Sequence, residues 1–143
     1  PQATGMMPAS QQQRVHALWP GQGLSTVEVS GAKVEAVVLT HRQTQNLAYR
    51  IEIGGRFLMH LGDADPNHEN IERLAAGPAP DVLLTPFWWL LDEKTKAFIE
   101  RWKPKAIVAI HFGSNDVAIS APRLRADMPR VWVATTAGES RDY

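Results

Sequence analysis

Apolar and polar residues alternate with a period of two through the first half of the chain. In the second half, strand-like runs alternate with helical spacing. Ser25 to Val29 alternates small polar and apolar residues, which predicts a half-buried strand. Ser30-Gly31-Ala32 reads as a turn. The β-branched run Val34 to Thr40 predicts a second strand. Leu47 to Ile53 sets Leu47, Tyr49, Ile51 and Ile53 on one face and Ala48, Arg50 and Glu52 on the other. Gly54-Gly55 is a hairpin signal joining this strand to Phe57–Leu61.

Beyond Asp63 the spacing becomes helical. Asp65-Pro66 predicts an N-cap with proline at the first helical position. Ile71, Leu74 and Ala75 follow at helical spacing, and Gly77-Pro78 stops the helix. Val82-Leu83-Leu84 predicts a short buried strand. Glu93 to Trp102 is amphipathic, with Phe98, Ile99 and Trp102 on its apolar side, and Pro104 ends it. Ala106–Ile110 predicts a buried strand, Ser120 to Met128 a last helix and Val131–Val133 a last strand. The order is four strands, then α-β-α-β-α-β. It predicts an α/β fold with a mixed sheet, in which hairpins give way to parallel strands with helices outside. Residues 1–23, rich in Pro, Ala, Ser and Gln, are expected to be irregular or a short helix, with Gln11-Gln12-Gln13 as its close. Residues 24–143 form the domain.

Composition narrows the classes. A length of 143 residues allows one domain with a sizeable core, and 44% hydrophobic with 21% charged residues is ordinary for a globular chain. Fifteen basic residues balance fifteen acidic ones, which argues against nucleic-acid or membrane-surface partners. Cysteine is absent, which excludes disulfides and thiolate metal sites. No apolar run approaches the ~20 residues of a membrane span, and no signal-peptide pattern opens the chain, so the cytoplasm is the default expectation.

Three strands end on residues that can bind metal. His41 ends the Val34–Thr40 strand, Asp63 follows Phe57–Leu61 through Gly62, and His111 ends Ala106–Ile110. Open α/β sheets place ligands at such C-terminal strand ends. Imidazole and carboxylate bind zinc, and also iron or manganese. A metal-bound water with a pKa lowered to roughly 7 would be a hydroxide nucleophile at neutral pH.

The run His41…Asn46-Leu47-Ala48-Tyr49…Gly54-Gly55…His60-Leu61-Gly62-Asp63-Ala64, followed by Trp102 to Phe112, resembles the C-terminal half of a metallo-β-lactamase-fold hydrolase of the lactonase/phosphodiesterase-like branch. The resemblance covers about residues 24–113. It implies half of an αββα sandwich holding one or two divalent metals, zinc first, at its edge. It implies that His41 is a site-one ligand, Asp63 the bridging carboxylate and His111 a ligand of the second metal. The His-x-His-x-Asp-His motif of that family is not in this chain. The resemblance therefore implies a partner, either a missing N-terminal half or another chain, with a homo-oligomer also allowed.

Blander readings stand beside these. Asp63 could be a turn residue, and His111 a histidine satisfied at a strand end. His60 reads as a core residue or as an outer partner of a metal-bound group. His68 reads as a solvated helix residue, and His16 is unassigned. Phe87-Trp88-Trp89-Leu90-Leu91 is either an aromatic wall over a small-molecule substrate, on a loop, or apolar surface buried against helices or a missing half. Asn115, in the polar turn Gly113–Asp116, could contact substrate. The function implied is hydrolysis of an ester, lactone, amide or phosphodiester by a metal-bound hydroxide. The alternative is a non-catalytic α/β module that works by association.

Overall fold

The computed structural model describes residues 16, 18, 20–22, 25–136 and 138–141. The predicted segment 1–23 therefore lies almost wholly outside the described residues. A short 3-10 turn at Pro20–Gln22 precedes the sheet. Seven strands follow in one sheet whose spatial order is their sequence order. They are β1 Thr26–Val29, β2 Ala32–His41, β3 Thr44–Ile53, β4 Arg56–His60, β5 Val82–Pro86, β6 Ala106–Ile110 and β7 Val131–Val133. Strands β1 to β4 form an antiparallel meander joined by tight turns. Strands β4 to β7 run parallel, with helices in the crossovers. The switch falls where the period changes in the sequence. Hairpins need two residues, whereas parallel neighbours need a long crossover.

The helices are α1 His68–Ala75, α2 Trp88–Leu91, α3 Glu93–Trp102 and α4 Ser114–Asp127. Helix α1 is not capped by Asp65. Asn67 is its N-cap, extended in backbone and accepting the Asn70 N–H at 2.8 Å, so Pro66 precedes the cap. Asp65 is drawn instead to the end of β2. Helix α4 begins six residues earlier than its apolar spacing suggests. Ser114, Asn115 and Asp116 form its first turn, with Asp116 accepting the Gly113 N–H at 3.0 Å. Polar residues that read as a turn also suit a helix start, where a carboxylate meets free N–H groups. The aromatic run after β5 is a short helix rather than a loop.

The register sorts the sheet into two unlike faces. Leu39, Ala48, Met59, Leu61, Leu83, Ile107, Ala109, Val131 and Val133 share one face, and all belong to the buried core. Leu74, Trp89, Leu90, Phe98, Ile99, Ala121 and Leu124 cover them, so the four helices of the described residues all pack on that side. The other face carries Val34, Val38, Leu47, Ile51, Leu58, Val82 and Leu84, all half-buried. None of these belongs to the core cluster. Both faces are thus apolar, although the helices of the described residues cover only one. No helix among the described residues is long and apolar enough to cross a membrane.

Candidate metal centre

Parallel β4, β5 and β6 bring their C-terminal ends to one edge of the sheet. Chain leaving β4 turns sharply at Gly62, whose φ is +61°. A Cβ there would lie 2.6 Å from Asn46 Oδ1 and 3.0 Å from the Leu47 carbonyl oxygen, so only glycine fits. Asn46, on β3, clamps the turn. Its Nδ2 donates to the Leu61 carbonyl at 2.9 Å, and its Oδ1 accepts the Asp63 N–H at 3.0 Å. His60 completes the clamp, its Nδ1 accepting the Gly62 N–H at 2.9 Å. Burial holds the His60 imidazole below its ordinary pKa, against the opposing pull of Asp63, while His111 lowers it further. His60 is therefore a neutral, second-rank neighbour of the site with one ring nitrogen occupied.

His111 leaves β6 in the left-handed backbone region, with φ +71°. Ser30 and Arg42 share that region in hairpin turns, and Lys103 does so in the cap of α3. His111 adopts it between a strand and a helix, where the bend carries the imidazole to Asp63. Asp63 Oδ1 and His111 Nδ1 lie 3.1 Å apart, and each side chain is about half exposed, at 50% and 49%. Trp88 packs edge-on to the His111 ring, with centroids 5.0 Å apart. The indole N–H groups of Trp88 and Trp89 both donate to the Ala64 carbonyl, at 3.0 and 2.7 Å. The residue after Asp63 is thereby pinned to α2.

His41 reaches the same edge but not the pair. Its Nδ1 is buried, has no well-formed hydrogen bond, and faces Asp65 Oδ1 at 3.3 Å. Asp65 is anchored from several sides. Its other carboxylate oxygen accepts the Arg42 N–H, and its own N–H donates to the Thr40 carbonyl at 2.9 Å. Asn70, fully buried, staples the two segments. It accepts the Thr40 N–H at 2.8 Å and donates to the carbonyls of Thr40 and Asp65, each at 2.9 Å.

The chemistry of these donors fits part of a metal site. Two ligands of one tetrahedral zinc stand ~3.3 Å apart, given bonds of about 2.0–2.1 Å. The 3.1 Å separation of Asp63 and His111 suits either that or a direct hydrogen bond. A closed site needs four donors. Among the described residues no group of three or more His, Cys, Asp or Glu is placed to hold a metal. Asp63 and His111 are brought together, and His41 is held apart with Asp65.

The expected substrate contacts divide. Trp88 stands beside His111 and is partly exposed. Trp89 is 0% exposed, so the substrate-wall reading fails for it. Its indole is packed in the core and its N–H is used by Ala64. Asn115 is exposed on the first turn of α4, four residues beyond His111. His68 is on the solvated face of α1, 3.6 Å from Glu72, and His16 is exposed. Asn46, Asn70 and Asp65 had no assigned part in the site from sequence. Lone polar residues at strand, turn and helix positions carry no periodic signal, and their long-range partners lie 15 to 30 residues away.

Sequence comparison matches residues 6–111 to the Beta-lactamase superfamily domain. Comparison with curated proteins finds no significant match. Among solved structures, the metallo-beta-lactamase fold protein YhfI from Bacillus subtilis aligns with 87% of this chain and 54% of its own, at 13% identity and a TM-score of 0.57. A proposed Zn-dependent hydrolase of the metallo-beta-lactamase superfamily from Thermotoga maritima aligns with 70% of this chain and 49% of its own, at 20% identity and a TM-score of 0.47. The chain spans about half the length of these two structures. The likeness to YhfI is one of fold, and it agrees with the mixed sheet and its outer helices. With most of its length matched, up to and including His111, the chain belongs to the Beta-lactamase superfamily domain family.

Proposed function

We propose that Asp63 and His111 are two ligands of a divalent-metal hydrolase centre, zinc first among the candidates, with His41 as a third and the remaining ligands outside the described residues. The observation that carries this reading is the 3.1 Å approach of a strand-end carboxylate and a strand-end imidazole across β5, both half exposed at one edge. His41 is the third ligand of this reading. It reaches the same edge from β2 and comes to the pair only when the other ligands assemble the centre. A bound metal would supply Lewis acidity and lower the pKa of a coordinated water to about 7. The bond cleaved is an ester, lactone, amide or phosphodiester. Trp88 supplies a flat apolar wall beside His111, and the Asn46 clamp keeps the Asp63 carboxylate at the edge.

The sheet face that no described helix covers, with Val34, Ile51, Leu58, Val82 and Leu84, is where the segment carrying the remaining ligands would pack. The chain's span of about half of YhfI supports this assignment. The test is the metal content of the purified protein and of Asp63→Ala and His111→Ala, with hydrolysis of ester and phosphodiester probes. Bound zinc that falls at least tenfold in both variants supports the reading. Unchanged metal content and activity in both overturn it.

A second reading is a non-catalytic module that works by association. The absence of a three-donor group among the described residues favours it. A folded protein that binds no zinc, alone or with its partner, would establish that reading over the first.

A further inference from the structure

We propose that Asp65 is the positioning residue for His41, facing its Nδ1 as acceptor of the ring proton and leaving the Nε2 lone pair to bind a metal. The inference rests on the reading of His41 as a ligand only for what Nε2 would bind. The orientation stands on contacts within the chain.

The His41 ring has two nitrogens with different surroundings. Nδ1 is buried and without a well-formed hydrogen bond, yet the side chain as a whole is 32% exposed. The exposed part of the ring is therefore elsewhere than Nδ1. The polar group facing Nδ1 is Asp65 Oδ1, at 3.3 Å. A buried imidazole nitrogen without a partner is costly, and a carboxylate at that distance relieves the cost if the nitrogen carries the proton.

Asp65 is built for that task. Its second carboxylate oxygen is held by the Arg42 N–H, its backbone N–H by Thr40 and its carbonyl by Asn70. These bonds tie it to the residues on either side of His41, so its Oδ1 has a fixed place relative to the ring. Asn67 Nδ2 adds a bond to Thr40 Oγ1 at 2.8 Å, which stiffens the same corner. An outer carboxylate that fixes the tautomer and aim of a metal-binding histidine is a general device. Here the carboxylate comes two residues after Asp63, so one turn supplies a candidate ligand and the orienting group of another.

The test is nitrogen NMR of the metal-free protein labelled at histidine, at about pH 8, above the ordinary histidine range. The two ring nitrogens give distinct shifts and couplings in each tautomer. The expected result for His41 is the Nδ1–H form in the native protein and a shift toward the Nε2–H form in Asp65→Ala. An Nε2–H form or a doubly protonated ring in the native protein overturns the proposal, even if the variant fails to fold. A folded Asp65→Ala with its tautomer unchanged overturns it as well. Zinc titration separates the two readings. If the native protein binds zinc, Asp65→Ala weakens it by about 10- to 100-fold, and unchanged affinity counts against the positioning role. If the native protein binds none, alone or with its partner, the hydrolase reading fails while the tautomer result still decides this one.

Discussion

Asn46 holds Asp63 by the backbone: its Oδ1 accepts the Asp63 N–H at 3.0 Å while its Nδ2 grips the Leu61 carbonyl at 2.9 Å. One amide thus spans the turn that aims the candidate ligand. Replacing it by alanine removes both bonds and opens space against Gly62. Asn46→Ala is expected to cost about 1–3 kcal/mol of stability and to weaken zinc binding with it. Asn46→Asp keeps the acceptor but sets a carboxylate against the Leu61 carbonyl, so it should not rescue stability. Chemical denaturation of both variants checks this.

Gly62 is the other half of that turn. Its positive φ and the 2.6 Å approach of Asn46 Oδ1 leave no room for a methyl group. Gly62→Ala is expected to lose roughly 2–3 kcal/mol through strain and displacement of Asn46. Gly31, also at positive φ but with open space around it, serves as the control. Gly31→Ala should cost about 1 kcal/mol, so the gap between the two measures the crowding.

Asn70 is expected to matter more than a polar residue on a short helix suggests. It is fully buried, and its side chain meets Thr40 and Asp65 with every donor and acceptor used. Asn70→Ala should cost about 2–4 kcal/mol, because buried backbone groups lose their partners. It should also release the His41 corner, read as faster hydrogen exchange at the end of β2.

Asp92 gives a pH signature. Its carboxylate caps α3, accepting the N–H groups of Thr95 at 3.0 Å and Lys94 at 3.1 Å and the Thr95 hydroxyl at 3.1 Å. The bond from the Thr95 N–H is the largest cause holding its pKa below the usual carboxylate range. A depressed folded pKa means that the unfolded chain binds the proton first. The contribution is whole above about pH 5, given an unfolded pKa near 3.9, and is lost as pH falls through the lower folded value. Asp92→Ala should cost about 1 kcal/mol near pH 7. Asp92→Asn removes the titration, so its stability difference from the native protein should shrink on acidification. Thermal denaturation from about pH 7 to pH 3 follows that window.

Much of the fold was legible along the chain. Helix α3 and strands β6 and β7 lie where period and punctuation set them, because each is a local apolar pattern ended by Pro104, by His111 or by the polar run after Val133. The starts of α1 and α4 were misplaced. Asp65 and Asn67 are both good caps, and only the β2–β3 turn at Arg42, 23 residues before Asp65, decides which one is free to cap. For the site, residue types at strand ends marked Asp63, His111 and His41. They could not say that two of these meet and the third turns to Asp65.

What the sequence determined by itself was the set of local choices: period, turn chemistry, glycine where φ must be positive, and donors at strand ends. Those depend on neighbours a few residues away. Tertiary structure alone decided that β4 and β6 bring Asp63 and His111 to 3.1 Å, that Asn46 and Asn70 serve as staples, and that Trp89 is sealed while Trp88 is not. The physical reason is one of range. Hydrophobic periodicity acts within a turn or a strand, whereas a hydrogen bond or an ion pair acts only where the packed sheet brings distant residues together.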